Sequence, residues 1–169
     1  VREAQAFGIR LLVDLVLNHT SDQHPWFIQA RSSRQSPQRD WYVWKDGRPG
    51  GEPPTNWASV FGGPAWTHDD ASGQWYYHAF LPQQPDLNWH HPDVRRAMWD
   101  VARFWLQRGA SGFRLDATAF LFDDPEYPQD PEIATNAEAR PISPPKPYNA
   151  GRPENHNVLR ELRQVLDAH

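Results

Sequence analysis

The stretch IRLLVDLVLNHT at residues 9–20 is an almost unbroken apolar run that ends in polar residues. A continuous run of branched apolar side chains is typical of a strand buried on both faces of a parallel sheet. We therefore predict a strand over residues 9–17, with Asn18 and His19 at its carboxyl end. Alternation along the strand places Asp14 in its middle, where an unpaired charge would be costly.

A second strand is predicted in GFRLDATAF at residues 112–120, where apolar side chains alternate with Arg114 and Asp116. A helix over residues 92–108 comes before it, with its apolar side chains spaced four and three residues apart. An order of strand, helix and strand predicts that the two strands are parallel. In parallel α/β folds, ligands bind beyond the carboxyl ends of the strands, which is where these polar residues fall.

The remaining segments divide into helical ends and long loops. About 70 residues between the two strands exceed an ordinary connection and contain many tryptophans, so we expect a small inserted unit. Further expectations are helices over residues 1–8, 24–33 and 154–168, short strands over residues 40–44 and 74–80, and a proline-rich loop over residues 121–153.

Length, charge and amino-acid composition exclude several classes of protein. A length of 169 residues suits one domain, and the net charge of −4 gives no reason to expect a nucleic acid or an anionic membrane as partner. No apolar run is long enough to span a bilayer. The chain has no cysteine, which excludes a disulfide scaffold and a cysteine nucleophile.

Arg114 and Asp116 are the leading candidates for chemistry. Two residues apart on a strand, they point the same way, and a guanidinium favours the ionised form of a neighbouring carboxylate. Such a carboxylate could attack an electrophilic carbon or stabilise a cation. A buried ion pair that sets strand register would explain the same spacing. The presence of His19 at the end of the other strand favours a site.

The motifs DLVLNHTSD, QPDLN and GFRLDA occur in this order, with an aromatic-rich insertion between the first two. In this the sequence resembles glycoside hydrolase family 13, the α-amylase family. The longer stretches NHTSDQHPWF, NWASVFGGPAW and YYHAFLPQQPDLNW resemble its bacterial α-glucosidase and oligo-1,6-glucosidase branch. The resemblance implies an α/β fold: a partial (β/α)8 TIM barrel with its third and fourth strands and an inserted domain B. Residues 1–21 and 91–169 would belong to the barrel, and residues 22–90 to domain B and the return segment.

The resemblance also implies roles for individual residues. Asp116 matches the nucleophile that forms a covalent glycosyl-enzyme, and Arg114 matches the arginine that orients it. His19 matches the histidine that binds the sugar in the cleaved subsite. Residues that match the pocket entrance are Phe61, Phe80 and Gln84; those that match structural polar positions are Asp14, Asn18 and Asp86.

The residue after the nucleophile tends to follow linkage preference in this branch, and Ala117 there favours α-1,4-linked disaccharides or short oligosaccharides. A glucosyl-transferring relative, such as a trehalose synthase or a sucrose-acting enzyme, is the alternative within the same chemistry. A non-catalytic sugar-binding or interaction domain is the alternative outside it. We expect no cofactor and no bound metal, because the histidines lack a recognisable ligand spacing.

A retaining glycosidase also needs an acid/base carboxyl group. In the family this glutamate follows the fifth strand, which would lie beyond residue 169. The glutamates after the second predicted strand lie in the proline-rich loop or in the last helix, and none is at the end of a buried strand: Glu126, Glu132, Glu138, Glu154 and Glu161. We therefore expect this chain alone to be inactive and to expose apolar barrel surface. A cytoplasmic location is expected, and the oligomeric state is left open.

Overall fold

The computed structural model describes residues 1–130 and 148–169. Its helices and strands, in chain order, are α1 (Arg2–Ala6), β1 (Leu12–Val16), α2 (Pro25–Ser32), β2 (Trp44–Lys45), β3 (Trp66–Asp69), β4 (Gln74–Tyr77), α3 (Pro92–Gln107), β5 (Gly112–Asp116) and α4 (Asn155–Asp167). Much of the predicted proline-rich loop, including Glu132 and Glu138, lies outside the described residues. Within the described ranges, no helix has both the length and the apolar character needed to cross a bilayer.

The two predicted barrel strands pair in parallel, as expected. In their register Asp14 lies opposite Arg114 and Val16 lies opposite Asp116, so both strands end at the same edge. Helix α3 provides the crossover between them. It begins at Pro92, where the backbone N–H of Asp93 donates to the His91 side chain.

The first strand is buried on one face and not on both as its apolar run predicted, and its exposed face confirms the expectation that this chain alone exposes apolar barrel surface. Strand β1 is shorter than residues 9–17, and only its odd-numbered face meets the core, where Leu15 on the strand and Leu17 just beyond it are buried. On the other face the Leu12 side chain is 62% exposed and the Asp14 side chain 67% exposed. The physical reason is that β1 and β5 form a two-stranded sheet, and the described residues cover only one side of it.

The insertion folds around its own antiparallel sheet, in the strand order β2-β4-β3. The strand predicted over residues 40–44 is replaced by a 3-10 turn at Arg39–Trp41 followed by the two-residue β2. Strand β3 was not predicted, because WTHD has no long apolar alternation; its pairing with β4 defines it. A separate aromatic cluster that includes Trp57, Trp66 and Tyr77 packs against this sheet.

Candidate functional site

An ion pair stands at the carboxyl end of β5. Arg114 and Asp116 share one face of the strand, and a guanidinium nitrogen lies 3.0 Å from a carboxylate oxygen of Asp116. The carboxylate of Asp14 on β1 lies 3.8 Å from the same guanidinium. About half of each side chain of the Arg114–Asp116 pair is exposed. The pair therefore stands at an accessible strand end, and its arginine can hold the Asp116 carboxylate in one orientation.

The chain turns sharply directly after this ion pair. Ala117 takes the left-handed conformation with φ of 54°, which costs energy for a residue with a Cβ. A 3-10 turn at Thr118–Phe120 follows, closed by a hydrogen bond from the Phe120 N–H to the Ala117 carbonyl. The turn brings the Phe120 carbonyl over the end of β1, where it accepts a hydrogen bond from the Asn18 amide.

His19 stands at the end of β1 between two amide side chains. Its Nδ1 lies 2.9 Å from Asn18 Oδ1, and its Nε2 lies 2.9 Å from Gln84 Nε2. The ring of Phe80 packs against the imidazole at 5.5 Å between centroids. Burial lowers the pKa of His19, and the negative charge of Asp116 opposes that shift. Burial therefore favours the neutral imidazole, and both ring nitrogens have a hydrogen-bond partner.

Asn18 and Asp86 join the strand end to the segment that returns from the insertion. Both are buried, and the Asn18 amide donates to an Asp86 carboxylate oxygen at 2.9 Å. The other carboxylate oxygen of Asp86 accepts the Ala79 N–H at 2.8 Å. His19 and Asp86 also form a β-bridge through their backbones. These contacts fix the orientation of the neighbouring His19.

Three phenylalanine rings form an apolar rim beside His19. Phe80 contacts Phe61 at 5.8 Å and Phe120 at 5.2 Å between centroids. Phe61 is 66% exposed at the outer end of this row. Flat apolar rings next to hydrogen-bonding groups are a surface on which a sugar ring can bind.

The structure thus brings the predicted site residues into two neighbouring groups. One contains Asn18, His19, Gln84 and Asp86, linked by hydrogen bonds; the other is the ion pair on β5. Phe120 was not predicted as a site residue. Its carbonyl bonds Asn18 and its ring packs against Phe80 only because of the 3-10 turn after β5, which the sequence pattern did not indicate. Asp14 belongs to the second group only through its distance to Arg114. Among the described residues no group of three or more His, Cys, Asp or Glu could hold a metal ion.

Comparison with known proteins gives matches along the whole chain. Residues 1–169 match the family model for the alpha amylase catalytic domain. The chain is 47% identical over 175 residues to a probable alpha-glucosidase of Rhizobium meliloti (strain 1021). It is 42% identical over 170 residues to an oligo-1,6-glucosidase of Heyndrickxia coagulans. Among solved structures, an alpha-glucosyl transfer enzyme is 43% identical, with a TM-score of 0.88.

These matches cover the chain almost completely but only part of each relative. The match to the probable alpha-glucosidase covers 99% of the chain and 32% of that relative, and the match to the oligo-1,6-glucosidase covers 97% and 29%. The match to the solved structure covers 99% of the chain and 33% of that structure. The chain therefore spans about a third of the length of the curated relatives it matches. The similarity confirms the predicted fold class, a partial (β/α)8 barrel whose strands β1 and β5 are neighbours.

Proposed function

The chain belongs to the α-amylase family, and on this premise we propose that it is part of a retaining α-glucosidase that acts on short α-glucosides. The observation that carries the proposal is the accessible ion pair of Arg114 and Asp116 at the end of a barrel strand. His19 follows the neighbouring parallel strand at the same edge of the sheet at which Asp116 stands, so both groups could face one bound sugar.

In the proposed mechanism Asp116 is the nucleophile. One carboxylate oxygen attacks the anomeric carbon, and the bond to the leaving oxygen breaks as a general acid protonates it. Water, deprotonated by the same acid/base group, then attacks the glycosyl-enzyme and frees Asp116. Arg114 orients the carboxylate throughout. We propose that the acid/base carboxyl comes from a part of the catalytic domain that this chain does not span.

We propose that the substrate is a disaccharide or short oligosaccharide with an α-1,4 linkage. His19 would bind a hydroxyl of the sugar in the cleaved subsite. Phe61, Phe80 and Gln84 would line the entrance. Ala117 directly follows the proposed nucleophile, and a small residue at this position is typical of α-1,4 preference in the branch that the sequence resembles. The apolar rim beside a neutral imidazole supports this assignment.

We further propose that residues 22–90 are the inserted domain B and its return segment, between barrel segments 1–21 and 91–169. The separate antiparallel sheet and aromatic cluster of the insertion support this division. The hydrogen bond between Asn18 and Asp86 would then join the barrel to that domain.

The decisive experiment traps the proposed intermediate. The full-length protein that carries this chain is incubated with 5-fluoro-α-D-glucosyl fluoride, digested and analysed by mass spectrometry. We expect one glycosyl adduct on the peptide that contains Asp116, and none in the Asp116→Asn variant. An adduct on a different peptide, or no adduct on folded protein that turns over maltose, would refute the assignment of Asp116.

Glucosyl transfer is the second candidate, because the similar solved structure is an alpha-glucosyl transfer enzyme. Both reactions share the glycosyl-enzyme and differ in whether water or a sugar hydroxyl resolves it. Product analysis with maltose distinguishes them: free glucose alone indicates hydrolysis, and longer or isomeric glucosides indicate transfer. A folded protein that binds maltose without either product would indicate a non-catalytic sugar-binding domain.

A further inference from the structure

A chain of hydrogen bonds with one possible direction runs through His19. Its outer end is the backbone N–H of Leu81, which can only donate, so Gln84 Oε1 must accept at 3.2 Å. The other amide atom of Gln84, Nε2, can then only donate. Because it lies 2.9 Å from His19 Nε2, that ring nitrogen must be an acceptor.

The hydrogen bonds at the Asn18 end of this series indicate the same tautomer of His19 independently. The carboxylate of Asp86 and the carbonyl of Phe120 can both accept, and each lies 2.9 Å from Asn18 Nδ2, which donates to them. Asn18 Oδ1 is therefore an acceptor, and it lies 2.9 Å from His19 Nδ1. The proton of the imidazole must then be on Nδ1. The hydrogen bonds on the Gln84 side and on the Asn18 side therefore require the same tautomer of His19.

We propose that Gln84 is a positioning residue that, together with Asn18, holds His19 as the neutral Nδ1–H tautomer with Nε2 as acceptor. It follows that a ligand hydroxyl that binds Nε2 must donate its proton and take the place of the Gln84 amide. In the structure the Gln84 amide thus occupies the donor position at His19 Nε2 that a ligand hydroxyl would take. The second half of this inference rests on the proposed glucoside site, whereas the tautomer does not.

The surroundings of His19 agree with a neutral ring. The ring of Phe80 packs against the imidazole at a tilt, and burial lowers the pKa of His19. The charged group that acts directly on it is Asp116, which favours the imidazolium form. Asp86 lies behind Asn18, with its carboxylate occupied by the Asn18 amide and the Ala79 N–H. The Asn18 amide therefore lies between His19 and the Asp86 carboxylate, and the amides of Asn18 and Gln84 together satisfy both ring nitrogens.

The test is a long-range ¹H–¹⁵N NMR spectrum of the full-length protein with ¹⁵N-labelled histidine, in which His19 is assigned by its loss in His19→Gln. Near pH 7.5 we expect a protonated Nδ1 and an unprotonated Nε2. In Gln84→Ala the tautomer preference should weaken. In Gln84→Glu the new carboxylate can only accept from Nε2, so the pKa of His19 should rise. The neighbouring Gln83→Ala, an exposed side chain, should leave the spectrum of His19 unchanged.

The role of Gln84 would be overturned by an Nε2–H tautomer in the full-length protein without substitutions, called the parent protein. It would also be overturned if the spectra of Gln84→Ala and Gln84→Glu were identical to that of the parent protein. D-glucose is then added to the parent protein. If a hydroxyl replaces Gln84 as donor, the Nε2 resonance should shift and remain that of an acceptor. Appearance of an Nε2–H on binding would overturn the replacement. Absence of any glucose-dependent shift would count against both the replacement and the glucoside site, and the tautomer would still stand on the first spectrum.

Discussion

The amide of Asn18 donates to the carboxylate of Asp86 at 2.9 Å, with both side chains buried. Removal of one partner leaves the other buried without its hydrogen bond, which is most costly for a charged group. We expect Asn18→Leu to lower the free energy of unfolding by about 3 kcal/mol, measured by urea denaturation followed by tryptophan fluorescence. Asn88→Ala, whose amide bonds a backbone carbonyl at the surface, should cost less than about 1.5 kcal/mol.

The double variant Asn18→Leu/Asp86→Leu separates this effect from lost packing. If the loss comes from the Asp86 carboxylate that no longer receives the Asn18 amide, the double variant should regain part of the stability that Asn18→Leu loses. A double variant as unstable as the sum of the two single variants would contradict the coupling between the residues.

Arg114 should matter for turnover through the orientation of Asp116. A small misplacement of a reacting group can cost about 100-fold in rate. If Asp116 is the nucleophile of the full-length protein, we expect Arg114→Ala in that protein to lower kcat/KM for maltose by about that factor. Arg114→Lys should recover only part of it, because an ammonium lacks the planar fork of a guanidinium. Arg96→Ala, on an exposed position of α3, is the matched control and should leave kcat/KM unchanged. Equal kcat/KM in Arg114→Ala and the parent protein would argue against a role in orienting the nucleophile.

Acid should destabilise the fold through buried histidines. The imidazole of His78 bonds the Phe80 carbonyl and the Thr67 hydroxyl, and burial lowers its pKa below the usual 6.5. Below pH 6.5 the unfolded chain therefore binds more protons than the native state, so stability present above pH 6.5 is lost as pH falls. The loss is at most about 1.4 kcal/mol per pH unit for each such histidine.

The measurement is the free energy of unfolding at pH 7.5, 6.5 and 5.5. His78→Phe should be less stable at pH 7.5, because the Phe80 carbonyl loses its donor, but its dependence on pH should be shallower. His156→Gln, on the exposed face of α4, should keep the pH dependence of the parent. The same slope in His78→Phe as in the parent would show that His78 does not carry the effect.

The segment after β5 is clamped to the insertion by amide side chains. Asn56 donates to the Asp130 carbonyl at 3.0 Å and accepts the Asp130 N–H at 2.7 Å. Gln129 accepts the Asn56 N–H and donates to the Pro54 carbonyl. Each bond contributes about 1 kcal/mol, so Asn56→Ala and Gln129→Ala should each lower the free energy of unfolding by about 1–2 kcal/mol.

Limited proteolysis checks this clamp more directly than global stability does. Cleavage near residue 130 should accelerate in Asn56→Ala and Gln129→Ala, because the segment loses its anchor. Gln107→Ala, at the exposed end of α3, should cleave at the parent rate. Unchanged cleavage in both clamp variants would show that other contacts hold the segment.

The two barrel strands and the helix between them can be predicted from the local pattern of apolar and polar residues. The apolar run before Asn18, the alternation in residues 112–120 and the helix signals at Pro92 predict two strands joined by a helix. The register of β1 with β5 agrees, although the second strand ends at Asp116 and a 3-10 turn follows it. Side-chain alternation alone places Arg114 beside Asp116, because residues two apart on a strand share a face. These features depend on near neighbours in the chain, so the sequence suffices to predict them.

Long-range packing decided the rest. Gln84 meets His19 across 65 residues and Asn56 meets Asp130 across 74, and no local pattern encodes such separations. Strand β3 exists because β4 pairs with it, and the exposed face of β1 depends on what covers the sheet. The sequence by itself determined where the two barrel strands and their charged residues lie. Only the tertiary structure decided the strands of the insertion and which donors face which acceptors, because hydrogen bonds need distances that a linear pattern does not contain.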